Sequence, residues 1–139
     1  MHEDGLVTKT VEPQDSRPDR HVYAITQAGY EALLEWLHQP VELLPGRNEL
    51  LLKLFFGRNL TPQENIKHLE RHRQRMLASR QLYRQMVENL QVKIPDHPDL
   101  PYYLITLNHG IHVTQAVADW CDETIDQLKQ IGKGVDEWQ

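Results

Sequence analysis

The stretch from Thr61 to Gln91 constrains the fold most, because no glycine or proline interrupts the chain between Pro62 and Pro95. Its opening letters, TPQE, supply an N-cap hydroxyl, a proline for the first helical position and a glutamate three residues after the cap. We predict a helix of about 30 residues, roughly 45 Å long. Its apolar stripe has heptad spacing and includes two arginines: Ile66, Leu69, Arg73, Met76, Arg80, Tyr83, Val87 and Leu90.

A second stripe follows the prolines at positions 95, 98 and 101. Two long amphipathic helices joined by a proline-bounded turn predict an antiparallel hairpin. Such a hairpin alone leaves apolar surface uncovered, so we expect a second copy of the chain to cover it and form a homodimer. The predicted dimer interface consists of Leu104, Leu107, Ile111, Thr114, Ala118, Cys121 and Ile125, and the stripe continues to Leu128.

Charge is distributed unevenly along the chain. Between residues 47 and 93 there are ten Lys or Arg against four Asp or Glu, a net charge of +6. From residue 94 onward there are two against eight, a net charge of −6. The first long helix is therefore basic and the second acidic. Opposite charges that flank an apolar seam set helix pairing, while the basic helix is also typical of a nucleic-acid footprint. Both interpretations stay open.

Several classes of protein receive no support from the sequence. No apolar run is long enough to cross a bilayer, and the N-terminus lacks a secretory pattern. The single cysteine, Cys121, fits a reducing cytoplasm and a place in the core. Neither a glycine-rich phosphate loop nor a nucleophile elbow is present, so we predict no enzyme. The pairs His68/His72 and His109/His112 lack the companion ligands of a zinc site, so we expect neither metal nor cofactor.

The first quarter of the chain predicts a β hairpin followed by a helix. Residues 6–11 and 20–25 are short β-rich runs around a polar, proline-containing tip. Thr26 is placed to cap a helix that reaches His38, and Pro40 ends it. A hairpin beside a helix can touch DNA as a wing, and Lys9, Arg17 and Arg20 are its candidate phosphate contacts. Residues 1–25 nevertheless hold three Lys or Arg against five Asp or Glu, which is a weak electrostatic match to DNA.

Residues 47–57 contain the run LLLKLFF. Its leucine content favours a short helix over a strand, and we predict that this helix is buried on nearly all sides. Before residue 6, the end at Gly5 resembles the last turn of a helix that a glycine terminates. The segment from residue 131 onward is expected to fray.

The order of these motifs resembles the PadR family of bacterial transcriptional regulators. The motifs are DGLV at residues 4–7 and RPDRHVYAITQAG at 17–29, which are similar to the family's wing and following helix. The segment RNELLLKLFFG at 47–57, with LNHGI at 107–111 and ADW at 118–120, is similar to the helical C-terminal domain found in the related virulence activators.

The resemblance implies a mainly α fold with a partial winged helix, comprising a two-stranded β wing plus one helix at residues 1–40. Residues 41–139 would then form a long-helix antiparallel hairpin domain for dimerisation and effector binding. It also implies operator DNA as partner, and a small aromatic effector near Tyr83, Met86 and Trp120. The family places its recognition helix before the wing, so we expect that helix to lie outside this sequence. Three explanations stay open: the gene start was placed too late, the sequence was trimmed, or the chain is a shortened paralogue.

Two functions follow from this reading. The first is an effector-responsive, DNA-binding regulator, expected to be a repressor, that acts as a homodimer. The second is a dimerisation module that pairs with longer relatives and does not bind DNA on its own.

Overall fold

The computed structural model describes residues 1–136 and confirms the mainly α fold with a two-stranded wing. The described chain forms two compact units, Met1–Gly46 and Arg47–Gln139. The elements of the first unit are strands β1 (Val7–Glu12) and β2 (Arg20–Ile25) and helix α1 (Gln27–His38). The elements of the second are helix α2 (Glu49–Phe55), a 3-10 helix (Gly57–Asn59), and helices α3 (Pro62–Lys93) and α4 (Leu100–Asp136).

The first unit begins with a helical C-terminal turn, as the sequence predicts. Gly5 has φ of +72°, and the amides of Gly5 and Leu6 donate to the carbonyls of His2 and Met1, each at 3.1 Å. This pattern is a Schellman motif, in which a left-handed glycine satisfies the last carbonyls of a helical turn. The chain then enters β1, which pairs antiparallel with β2 from Val7 opposite Ile25 to Glu12 opposite Arg20.

Thr26 and Gly29 fasten α1 to the base of the hairpin. The Thr26 hydroxyl accepts a hydrogen bond from the Gly29 amide at 3.0 Å and so caps α1, as predicted. The same hydroxyl lies within donating distance of the carbonyls of Gly5 and Leu6, at 2.8 and 3.0 Å. A Cβ on Gly29 would lie only 2.0 Å from the Leu6 carbonyl oxygen. The spacing T-x-x-G therefore places a glycine where the start of α1 packs tightly against the start of β1.

The second unit is organised by α3 and α4. Thr61 and Glu64 form the predicted capping box at the start of α3, and Pro101 occupies the first turn of α4, where a missing amide hydrogen costs nothing. Tyr83 packs on Gly110, and Arg73 pairs with Asp122, so the two helices run antiparallel. Leu69, Cys121 and Ile125 form the buried core between them. The predicted hairpin is confirmed.

Two expectations were wrong. The helix α2 is not buried on nearly all sides: Leu50 and Leu54 pack toward the core, whereas Leu52 and Phe55 are 60% and 81% exposed. A seven-residue helix has room to pack only one stripe against α3 and α4, so the rest of its apolar run faces outward. The expected fraying from Ile131 is also not seen, because α4 continues to Asp136. Residues 137–139, which share that prediction, lie outside the described residues.

Candidate functional site

The cations predicted to contact DNA are all exposed on the wing. Arg17 lies in the seven-residue tip that joins the strands at residues 13–19. Arg20 begins β2 directly opposite Glu12 of β1. Lys9 lies in the middle of β1, opposite Tyr23 and about 10 Å from the tip end of its strand. Arg17 in the tip and Arg20 directly after it thus lie together, whereas Lys9 lies away from them.

The register separates Lys9 from Arg20. Residues directly opposite each other in an antiparallel pair project to the same face of the sheet, and successive residues alternate. Lys9 shares its face with Tyr23, whereas Arg20 shares the other face with Glu12. A DNA surface that lies against one face of the hairpin can thus contact Lys9 or Arg20, but not both. Arg17, in the tip, is not restricted in this way.

The residues predicted to form the dimer interface all lie on the stripe of α4 that faces α3 of the same chain. Thr114, Ala118, Cys121 and Ile125 are buried within a single chain, and Leu104, Leu107 and Ile111 are partly buried. Because α3 already covers this stripe, it has little surface left for a second copy. The stripe is an intramolecular seam, so we look for a partner surface elsewhere in the unit.

Two arginines make this seam unusual. Arg73 Nε lies 2.6 Å from Asp122 Oδ1, but its N–H is not aligned for a hydrogen bond, so the contact is an ion pair. Arg80 Nε is buried and has no hydrogen-bond partner among the described residues. The acidic second helix thus neutralises the basic first helix at Arg73. No other ion pair joins α3 to α4 in residues 1–134. Helix pairing therefore explains only a small part of the positive charge of α3.

The residues predicted to bind an effector are not brought together into one site. Tyr83 packs its ring on Gly110, and Met86 follows on the same side of α3, where it is 42% exposed. Trp120 packs against the core cluster of Leu69, Cys121 and Ile125. The ten residues from Gly110 to Trp120 along α4 correspond to about 15 Å. A small aromatic molecule can contact Tyr83 and Met86 together, but not Trp120 as well.

An exposed apolar surface of the second unit lies on α2 and its end. Leu51, Leu52, Phe55 and Phe56 are each more than half exposed. The rings of the two phenylalanines meet edge to face, with centroids 5.2 Å apart. The apolar run was visible in the sequence, but its outward face was missed, because a run without periodicity does not indicate which residues a neighbour covers.

A basic cleft of about 510 Å³ lies between α2 and α3. In the sequence, its histidines form a pair that was weighed as a metal site, and its arginines belong to a helix that is typical of a nucleic-acid footprint. The signal that unites them is their spacing: His68, Arg71, His72 and Arg75 recur at three- and four-residue steps and so share one face of α3.

The described residues contain neither a candidate metal cluster nor a membrane-spanning helix. Within residues 1–136, no three His, Cys, Asp or Glu side chains are grouped so that they could hold a metal ion. None of the helices in that range combines the length and apolar character needed to cross a membrane.

A family model described as "Virulence activator alpha C-term" matches residues 46–129, which is more than half of the chain. The chain belongs to this family. Together with the structural neighbours, the match confirms the resemblance to PadR-family transcriptional regulators. Among curated proteins, no similar sequence is found.

The fold is similar to those of several proteins of solved structure. The virulence activator AphA of Vibrio cholerae is 26% identical with a TM-score of 0.72, covering 94% of this chain and 73% of AphA. The smu.1604c protein of Streptococcus mutans is 25% identical with a TM-score of 0.76, covering 90% and 72%. PadR of Bacillus subtilis in complex with operator DNA is 20% identical with a TM-score of 0.70, covering 91% and 72%. PadR has also been solved with p-coumaric acid, at 19% identity, a TM-score of 0.68, and coverage of 92% and 72%.

Proposed function

We propose that the chain is an effector-responsive, PadR-like regulator of transcription in the cytoplasm that binds operator DNA as a homodimer. In this proposal residues 1–40 are the DNA-contacting part, and residues 41–139 carry dimerisation and effector binding. The observation that carries it is a β hairpin with exposed arginines at and beside its tip, followed in the chain by α1 and then by the helical region that the family model matches. The complex of the similar PadR protein with operator DNA supports this proposal.

The DNA contact is assigned to Arg17 and Arg20, with Lys9 as a lesser contributor because it lies away from the tip. Each phosphate contact releases counterions, so the logarithm of affinity falls with the logarithm of salt concentration by about 0.9 per contact. The variant R17A/R20A should therefore reduce this slope by roughly 2 and weaken binding similarly on all DNA sequences.

The measurement is fluorescence anisotropy with the gene's own promoter DNA at several salt concentrations. It should be run on this chain and on the chain extended through any in-frame upstream codons. A matched control is R84A/K93A, which removes the same charge from α3 and should leave the slope unchanged. A slope that stays the same in R17A/R20A would remove the wing from the interface. Absence of DNA binding by both lengths would favour the second hypothesis, a dimerisation module.

For the homodimer, the uncovered apolar face of α2 is the contact surface that exposure favours, because the predicted α4 stripe is covered by α3. A charge placed on this face would have to be desolvated in the interface, so L52E/F55E should shift the protein from dimer to monomer. Sedimentation equilibrium measures the shift. The matched control is V92E on α3, where the side chain is also exposed. A dimer in L52E/F55E that is as tight as the wild type would place the interface elsewhere.

For the effector, Tyr83 and Met86 form the contact that geometry favours, and Trp120 contributes through the core rather than by direct contact. The structure of PadR with p-coumaric acid supports a small aromatic ligand. Titration of this chain with p-coumaric acid as probe should show binding that Y83A abolishes and that Y102A, an exposed tyrosine of α4, leaves intact. Equal loss in both variants would contradict this placement.

A further inference from the structure

The basic cleft between α2 and α3 has a charge that the fold does not balance. Its charged or titratable lining comprises Arg47, Lys53, His68, Arg71, His72 and Arg75, together with one carboxylate, that of Glu49. Glu49 is already engaged, because its Oε1 lies 2.9 Å from Lys53 Nζ. This hydrogen bond and the charge of Lys53 lower the pKa of Glu49, and the nearby His68 adds to the effect.

The three arginines of the cleft have no comparable partner. No ion pair in residues 1–134 includes Arg47, Arg71 or Arg75. The acidic helix α4 does not pair with them, because its ion pair with α3 in residues 1–134 is made with Arg73, which lies on a different face of that helix. Arg71 and Arg75 are also one turn apart, where like charges repel. A bound anion would relieve this repulsion.

The lining specifies the chemistry of that anion. A planar guanidinium presents paired N–H donors that match phosphate oxygens, and a phosphate group offers several acceptor oxygens to arginines on different sides. The cleft volume of about 510 Å³ is in the range of small-molecule sites. Leu50 is the one aliphatic residue of the lining, and the other lining residues are charged, titratable or polar. The Asn48 side-chain oxygen is occupied by the Leu51 amide at 3.1 Å.

We propose that this cleft binds a small molecule bearing a diphosphate or a similarly charged phosphate group, held by Arg47, Arg71 and Arg75. The site is separate from the wing and from the Tyr83 contact, so it adds a second input to the helical unit. It does not depend on DNA binding.

The test is isothermal titration of the full chain with inorganic pyrophosphate, with EDTA present so that a bridging metal cannot mimic binding. We expect saturable binding of one pyrophosphate per chain. Loss of one charge-assisted hydrogen bond weakens binding about tenfold, so R71Q/R75Q should lower the affinity roughly a hundredfold. The control R84Q makes the same substitution further along α3, outside the cleft, and should change the affinity less than about twofold. Circular dichroism verifies that each variant keeps its helices.

Four results would overturn the proposal. The first is no saturable heat with the wild-type chain, and the second is about tenfold weakening by R84Q, the same loss per charge as in R71Q/R75Q, which would indicate diffuse charge alone. The third is that duplex DNA, but not pyrophosphate, binds less well to R71Q/R75Q, which would make the cleft a contact for DNA backbone. Equal affinity for citrate would refute the assignment to phosphate. The variant R17A/R20A should bind pyrophosphate like the wild type, so failure of the wing proposal and failure of this one are distinguishable.

Discussion

Gly29 offers the sharpest test of how the wing is attached. In the variant G29A the new methyl group would lie 2.0 Å from the Leu6 carbonyl oxygen, whereas Cβ atoms essentially never approach a neighbour closer than 3.0 Å. The neighbour is backbone and cannot rotate away, so α1 and β1 must separate by about 1 Å. That shift breaks the contacts of the Leu6 carbonyl with the Thr26 amide and hydroxyl, and the hydroxyl's contact with Gly5.

The expected magnitude follows from these contacts. The single hydrogen of the Thr26 hydroxyl is shared between the two carbonyls, so two donors lose their hydrogen bonds, at about 1 kcal/mol each, for a loss of about 2 kcal/mol. The better helix propensity of alanine returns up to about 1 kcal/mol, which leaves a net destabilisation of about 1 kcal/mol. An isolated two-stranded hairpin is marginally stable, so the loss should appear first as opening of the wing.

Peptide-resolved hydrogen exchange measures this opening. The amides of β1 and β2 should exchange about fivefold faster in G29A, because 1.4 kcal/mol corresponds to a factor of ten. Peptides of α3 and α4 should exchange as in the wild type. The control is G132A in α4, where the nearest atom to the new Cβ is 3.8 Å away. Wild-type protection of the hairpin in G29A would show that the tight approach at Leu6 does not hold the wing.

Four further predictions concern the helical unit. T61A should remove the N-cap of α3 and lower stability by about 1 kcal/mol in thermal unfolding, whereas T106A in mid-helix should not. Hydrogen bonds from Thr61 lower the pKa of Glu64, so the stability that Glu64 contributes is fully present above the unfolded pKa of about 4.3 and is lost as pH falls through the folded pKa. The difference in urea stability between the wild type and E64Q should therefore shrink as pH falls from about 6 to 3. A constant difference would contradict this prediction. Burial raises the pKa of the Cys121 thiol, with Asp122 adding to the rise and Arg73 opposing it. Alkylation of Cys121 at about pH 8 should therefore be at least about a hundredfold slower in the native protein than in the unfolded protein. Similar rates would refute the burial of this thiol. The ion pair of Arg73 with Asp122 is partly exposed, so a double-mutant cycle with R73M and D122N should give a coupling below about 1 kcal/mol that falls with salt; a coupling above about 2 kcal/mol would contradict this reading.

The elements of the fold were predictable because each carries a local signal. The capping box at Thr61, the glycine turn at Gly5 and the heptad stripes of both long helices depend on residues close in sequence. The antiparallel hairpin followed from these stripes and the proline-bounded turn between them.

The partner of each apolar surface was harder to predict, because it depends on which other element of the structure packs against that surface. The stripe of α4 was assigned to a second copy of the chain, but α3 of the same chain covers it. Periodicity identifies an apolar face without identifying its partner. The helix α2 was expected to be buried on nearly all sides, but its residues Leu52 and Phe55 are exposed.

The candidate sites show the same limit. The wing cations were visible in the sequence, but only the strand register separates the faces of Lys9 and Arg20. The basic cleft needs α2 to lie beside His68 and Arg71, and no pattern within α3 indicates that contact.

The seam between α3 and α4 also restricts how the two helices can be aligned. A slip of one heptad, roughly 10 Å, would keep both apolar stripes in contact. It would, however, move Arg73 from Asp122 to Lys129 or to Gln115, exchanging an attraction for a repulsion or a neutral contact. The same slip would place Tyr83 against Val117 or Tyr103 in place of Gly110, whose missing side chain makes room for the ring. The charged and the smallest residues of the seam thus select one alignment among several that the apolar residues alone would allow.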